Sequence, residues 1–235
     1  MLPVPRGWSF TEAAGLFISV STAYGALLTR AAMTKNDVVL VHAAAGGTGL
    51  AAIQGMSYFL AKACGATVIA TASTARKLDV PKSFGADYTV NYTDPDWPQK
   101  VKEITPGNRG VDIVFDPVGL VNASSKCTAW NGKILIIGFA RGVVEMVPTN
   151  KVLLKNISLV GFHGEAYAYN ERRTLVDNWG AIFGLIRDGK VRPMVFSDRD
   201  FTGLDAVKDA LISLKDRETW GKVTVQIPKV ADSHL

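Results

Sequence analysis

Residues 38–50 read Val-Val-Leu-Val-His-Ala-Ala-Ala-Gly-Gly-Thr-Gly-Leu. An apolar run passes through a glycine turn into a small-residue helical pattern. Backbone N–H groups and the dipole at a helix N-terminus bind a nucleotide pyrophosphate without any basic side chain, provided the main chain can come close. Gly46 and Gly47 lack the Cβ atoms that would block that approach, and Gly49 lets the helix pack tightly on the sheet. Against Gly-x-Gly-x-x-Gly the first position is Ala44, so the motif is Ala-x-Gly-x-x-Gly. Alone it is weak. Here a strand before, a helix after and a second strand about 20 residues on supply its context. The alternative is a tight turn in a parallel-sheet protein that binds no nucleotide.

The second strand bears on the choice of cofactor. NAD sites place an Asp or Glu at its end for the ribose 2′-hydroxyl. This one runs into Thr71-Ala72-Ser73-Thr74-Ala75-Arg76-Lys77, with no acid before Asp79. Hydroxyls at Ser73 and Thr74 and cations at Arg76 and Lys77 suit a 2′-phosphate, which brings negative charge and strong acceptor oxygens. The residues therefore favour NADPH over NADH. The competing reading makes the two cations solvated helix charges; it stands level for Arg76, whereas for Lys77 the phosphate is preferred.

These residues need a sheet to hold them. Val38–His42, Thr67–Ala70, Ala86–Val90, Val111–Phe115, Lys133–Ile137 and Ile157–Gly161 read as six strands. Thr48–Cys64, closed by Gly65, and Thr74–Phe84, closed by Gly85, read as helices, with Pro81 predicting a kink or an early end in the second. Val121–Trp130 lies between two strands. The alternation predicts an α/β fold, a doubly wound parallel six-stranded sheet of the Rossmann kind. Ser9 and Glu12 form a capping box ahead of an Ala-rich helix over Phe10–Ala31. Arg172–Arg187 is helical and closes at Gly189. Arg192-Pro193 marks a boundary. The strand Met194–Phe196, helix Leu204–Leu214 and strand Val223–Ile227 that follow do not continue the alternation. The expected domains are thus 1–191 and 192–235.

Composition excludes several classes. The 235 residues are 48% apolar and 20% charged, which rules out a disordered chain. Two cysteines, Cys64 and Cys127, cannot staple a fold and fit a reducing compartment, giving a cytoplasmic expectation with the mitochondrial matrix as the other choice. No apolar run approaches the ~20 residues of a membrane span. The start, Met1–Gly7, has no apolar signal core, so no export signal is expected. The net charge of +5 comes from dispersed Lys and Arg, which argues against a nucleic-acid partner.

Five motifs in order carry a family resemblance: His42–Gln54, Phe84-Gly-Ala-Asp-Tyr-Thr-Val-Asn-Tyr92, Val111-Asp-Ile-Val-Phe-Asp-Pro-Val-Gly119, Gly132-Lys-Ile-Leu-Ile-Ile-Gly138 and Gly221-Lys-Val-Thr-Val225. The chain closely resembles the zinc-independent quinone oxidoreductases of the medium-chain dehydrogenase/reductase superfamily along nearly its whole length. The resemblance implies that Ala45, Gly46, Gly47, Thr48 and Gly49 hold the pyrophosphate. Ser73, Lys77 and Tyr92 would surround the adenosine 2′-phosphate and ribose. The loop Asp116–Gly119, with Val118, would edge the adenine side. Gly138, Phe139, Ala140 and Arg141, with Phe162, His163 and Gly164, would lie at the nicotinamide end, which Thr22 would approach. Lys222 is a weaker carry-over as a cofactor contact.

Family members begin with a strand-rich GroES-like catalytic domain, which this chain is expected to lack. Its tail resembles the segment that returns to complete that domain, a C-terminal remnant. A second departure is Phe162-His163-Gly164-Glu165, where many relatives carry a Trp. Zinc-dependent relatives place a metal-binding Cys four residues before the Thr of Ser-Thr-x-Tyr-Gly; here that position is Ile18. His42, His163 and His234 have no metal-ligand spacing with the cysteines, so no zinc site is expected. Tyr58-x-x-x-Lys62 matches the short-chain dehydrogenase pair, but in the wrong helix; Tyr58 reads as packing and Lys62 as a solvated end. The implied activity is NADPH-dependent hydride transfer to a quinone or enone-type carbonyl. No catalytic residue is assigned, Tyr24 and His163 being the only candidates as proton source. The alternative function is an NADPH-binding module without catalysis, a sensor or oligomer partner. A homo-oligomer joined through sheet edges is also implied, with Ile157–Gly161 as the edge.

Overall fold

In the computed structural model, residues 2–56 and 66–228 are described. Strands β1 (Val38–Val41), β2 (Thr67–Ala72), β3 (Tyr88–Asn91), β4 (Val111–Asp116), β5 (Thr128–Ile136) and β6 (Ser158–Gly161) form one parallel sheet in the order β3-β2-β1-β4-β5-β6. The order reverses between β1 and β4, and that reversal opens a crevice at the strands' carboxyl ends. β1 is buried throughout because both faces are covered. Val39 and Val41 join Ile113, Phe115 and Leu135 in the core on one face. Val38 and Leu40 join Ile69, Val114 and Ile134 on the other, under Trp97 and Val101.

The Ser9–Glu12 capping box forms as its spacing predicts, with the Ser9 N–H donating to the Glu12 carboxylate at 2.7 Å. The long helix expected over Phe10–Ala31 is instead three pieces: α1 (Phe10–Ala14), α2 (Phe17–Tyr24) and a π-helical turn over Gly25–Arg30. Glycine stands at both breaks, where its low helix propensity is offset by what its bare backbone admits. A Cβ at Gly15 would lie 3.1 Å from the Val195 side chain, and one at Gly25 only 2.6 Å from the Phe162 ring.

Helix α3 (Gly47–Met56) is the described part of the helix read over Thr48–Cys64; Tyr58, Lys62, Cys64, Gly65 and His234 lie outside the described residues. Helix α4 (Ala75–Ser83) runs two residues past Pro81, so the early end predicted there does not occur. The proline sits in the last turn, where one lost backbone bond is tolerated. Helix α5 (Trp97–Ile104) escaped the sequence reading; Pro98 looks like a breaker but occupies the first turn, where proline is accepted. Helices α6 (Val121–Ser124), α7 (Thr149–Lys155), α8 (Tyr167–Asn170) and α9 (Arg172–Arg187) complete the layers. α9 closes at Gly189 (φ +69) as expected.

In the tail, α10 (Ala206–Lys215) matches expectation, but the strands read at Met194–Phe196 and Val223–Ile227 do not form. Those segments make only isolated parallel bridges, Val195 to Lys222 and Thr202 to Gln226. No further strand lies beside them among the described residues, and a bare pair is too little to propagate a sheet.

His42 follows β1 in full burial, its ring edge-on to Trp97 with centroids 5.1 Å apart. Burial pushes its pKa down to about 4, against a smaller opposing pull from the Asp116 charge. The folded state therefore holds a neutral imidazole that the unfolded chain protonates near pH 6.5. Its stabilising contribution is whole above pH 6.5 and is lost as pH falls toward 4, a drop of roughly 3 kcal/mol. Chemical denaturation from pH 7 to 4.5 should show wild type losing more stability than His42→Gln. Parallel pH curves for the two proteins would contradict the burial of a neutral ring.

Candidate functional site

A cleft of about 370 Å³ opens where the sheet order reverses. Residues at the carboxyl ends of five strands line it: Ala43 and Ala45 after β1, Ser73 after β2, Tyr92 after β3, Val118 and Leu120 after β4, and Ala140 and Arg141 after β5. The tail forms the opposite wall with Leu214, Arg217, Thr219 and Gly221.

The three glycines do different things. Gly46 lines the cleft, and a Cβ there would meet only the Ala43 carbonyl, at 3.3 Å. Gly49 faces inward: a Cβ would lie 2.5 Å from the Ala43 oxygen and 2.7 Å from the Ala44 Cα, so its bareness serves helix–strand packing. Gly47 makes room for a side chain of the tail, since a Cβ would lie 2.7 Å from Lys222 Cε. The stem of Lys222 thus crosses the start of α3. Burial lowers its pKa, and it has no ion-pair partner among the described residues. Thr48 lies in the first turn of the same helix.

The tail is joined to the loop backbone to backbone. The Gly221 N–H donates to the Ala45 carbonyl at 2.8 Å, and Gly221 bridges Gly46 in parallel register. Gly221 has φ +59, and a Cβ there would sit 2.3 Å from the Met194 oxygen, so both conformation and space call for glycine.

At the far end of the cleft Ser73, Lys77, Tyr92 and Val118 come together with Arg217. Thr74 does something else: its hydroxyl caps α4, accepting from the Lys77 N–H at 3.3 Å. Arg76 turns away, pairing with Asp198 at 2.8 Å beside a neighbouring cavity of about 520 Å³. Trp220 Nε1 donates to the other Asp198 oxygen. Lys77 and Arg217 border both cavities, and of the two helix cations only Lys77 lines the cleft. Burial, then the Arg217 and Arg76 charges, hold the Lys77 pKa below its ordinary value. An anion between Lys77 and Arg217 would relieve that repulsion.

Sequence reasoning missed Arg217. It lies in a Lys-Asp-Arg-Glu run that reads as the charged end of a helix, and only its left-handed turn after α10 (φ +59) brings it to the cleft. Asp116 is buried and does not line the cleft; its carboxylate accepts the N–H groups of Val118, Gly119 and Leu120, at 2.9, 2.9 and 2.6 Å. It shapes the loop that does.

A second cluster sits apart, where α2 meets the segment after β6. Phe162 is buried against Gly25 and Tyr167, and Thr22 Oγ1 lies 3.5 Å from where a Gly164 Cβ would be. Thr22, Phe162 and Gly164 are thereby together, while His163 is exposed. Gly138 lies by the Pro117 carbonyl, and Phe139 packs at Gly119 with part of its ring in solvent. Tyr24 is half-buried, which raises its phenol pKa. Ile18 is exposed on α2, and no three metal-ligating side chains come together among the described residues.

Known proteins are similar to this chain in sequence and fold. A family described as zinc-binding dehydrogenase matches residues 47–179. Quinone oxidoreductase-like protein 2 homolog of Nematostella vectensis is 36% identical over 224 residues, covering 94% of this chain and 59% of its own length. The quinone oxidoreductase of Escherichia coli, solved in complex with NADPH, superposes with a TM-score of 0.82 at 30% identity, over 96% of this chain and 68% of that one. A solved NAD-dependent alcohol dehydrogenase gives 0.79 at 32%, over 97% and 62%. The chain spans about three fifths of the length of the curated relatives it matches. On these matches, and on a six-stranded sheet whose glycine loop opens the cleft, the chain belongs to the zinc-binding dehydrogenase family, among the quinone oxidoreductase-like members of the medium-chain dehydrogenase/reductase superfamily.

Proposed function

We propose that the cleft binds NADPH and that the protein is a zinc-independent oxidoreductase acting on a quinone or an enone-type carbonyl compound. The observation that carries the cofactor choice is the pair Lys77 and Arg217, two cations facing one another beside Ser73 with no ion-pair partner among the described residues. A 2′-phosphate between them would turn mutual repulsion into charge-assisted hydrogen bonds. Gly46 leaves the loop open to a pyrophosphate at the start of α3, with the Lys222 stem alongside. Tyr92, Val118 and Leu120 would flank the adenosine, and Thr22, Phe162, His163 and Gly164 the nicotinamide end. When bound, NADPH supplies the hydride. This chain's residues orient the cofactor and exclude water. Among the described residues His163 is exposed and burial raises the Tyr24 pKa, and the proton is assigned to solvent. Zinc independence is supported by Ile18 at the ligand position of zinc-dependent relatives.

Residues 1–191 are read as the dinucleotide-binding domain and 192–235 as the C-terminal segment of a GroES-like catalytic domain. A second copy is assigned to the open edge of β6. The cytoplasm is assigned as compartment, in keeping with a free, buried Cys127. A second reading keeps NADPH binding without turnover, as a sensor or oligomer partner. NADPH consumption with a quinone panel separates the two.

Calorimetric titration of Lys77→Met and Arg217→Met should show each raising the NADPH Kd about 10-fold or more, from the loss of one charge-assisted bond, with NADH affinity unchanged. Unchanged NADPH affinity in both would remove the 2′-phosphate from this end of the cleft.

A further inference from the structure

His42 never reaches the cleft, yet three of the cleft's walls are tied to it. Its Nδ1 lies 2.8 Å from Thr71 Oγ1 on β2, and its Nε2 2.8 Å from Ser124 Oγ on α6. Ser124 Oγ also lies 2.7 Å from the Leu120 carbonyl, which can only accept. The serine hydroxyl therefore gives its one proton to Leu120, and Nε2–H must donate to Ser124 Oγ. That leaves Nδ1 as acceptor, taking the Thr71 proton; the other acceptor within reach of Thr71, the Val41 carbonyl, is farther at 3.4 Å. One neutral tautomer satisfies every group in the chain Thr71–His42–Ser124–Leu120. Trp97 packs edge-on against the ring and limits its rotation.

Each anchor adjoins a cleft residue. Ala43 follows His42, Ala72 follows Thr71, and Leu120 is itself in the lining. These residues belong to three elements: the exit of β1, the end of β2, and the loop after β4 that Asp116 folds. In an interior of native packing density, a fixed side chain between three segments sets their separation.

We propose that His42 is a positioning residue for the adenosine end of the cleft, holding the exits of β1 and β2 and the Leu120 loop at the spacing a phosphoadenosine group requires. The inference rests on the cofactor reading given above and deepens it. The nearest alternative is a purely structural role, in which His42 stabilises the fold and leaves cleft width unaffected.

The test uses 2′,5′-ADP, the phosphoadenosine part of NADPH, titrated calorimetrically into the full chain at pH 7.5, with thermal unfolding recorded for every variant. Thr71→Val and Ser124→Ala remove one hydroxyl each with little change of shape. His42→Phe keeps the ring and drops both bonds. His42→Gln restores one donor and one acceptor on a neutral side chain. The expected result is a Kd raised about 5-fold or more in His42→Phe and Ser124→Ala, from hydrogen bonds of ordinary strength, with most of the affinity recovered in His42→Gln. Should His42→Phe fail to fold, Ser124→Ala and Thr71→Val carry the comparison. Variants that melt earlier yet bind 2′,5′-ADP within twofold of wild type overturn the inference and leave the cofactor reading intact. Wild type that does not bind 2′,5′-ADP overturns both.

Discussion

The architecture of the cleft depends on one backbone contact, the Gly221 N–H on the Ala45 carbonyl beside the parallel bridge to Gly46. It fastens a tail more than 170 residues away in sequence to the turn that opens α3. Without it the crevice of the sheet would have a floor and one wall. With it, Leu214, Arg217 and Thr219 face Ser73, Lys77 and Tyr92 across the cleft. The contact is tight enough to dictate sequence on the tail side: Gly221 has no room for a Cβ beside the Met194 carbonyl, whereas a Cβ at Gly47 would displace the Lys222 stem.

Two polar networks hold the rest of the cleft's shape from behind. Asp116 gathers three backbone N–H groups of the loop after β4, and His42 links that loop to β2. Both are buried and neither lines the cleft. Buried polar groups that are fully hydrogen-bonded define distances that apolar packing alone would leave adjustable. Under the proposed cofactor reading a division of labour follows: half-buried Lys77 and exposed Arg217 would meet the ligand, and fully buried groups fix where they stand.

The sheet was legible in the sequence because parallel strands covered on both faces must be nearly continuously apolar, and Val38–Val41, Ile113–Phe115 and Ile134–Leu135 are. The glycine loop was legible because its chemistry is local. The break at Gly15 and Gly25 was not, since what decides it is the Val195 and Phe162 side chains arriving from distant segments. The tail strands failed for the same reason in reverse: Val223–Ile227 has the residues of a strand but only one short neighbour to pair with among the described residues. Lys77 followed from its place after β2. Arg217 could not, because only a left-handed turn after α10 carries it to the cleft. Arg76 illustrates the limit of composition, since its ion pair with Asp198 takes it out of a site one residue away.

The tail and β2 together are proposed to form a phosphate-selective end to a dinucleotide cleft. Side-by-side calorimetric titration of the wild-type chain with NADPH and NADH tests it most directly. A Kd for NADPH at least about tenfold below that for NADH is predicted, the gain from one or more charge-assisted bonds to the extra phosphate. Equal affinities, or tighter binding of NADH, would contradict it.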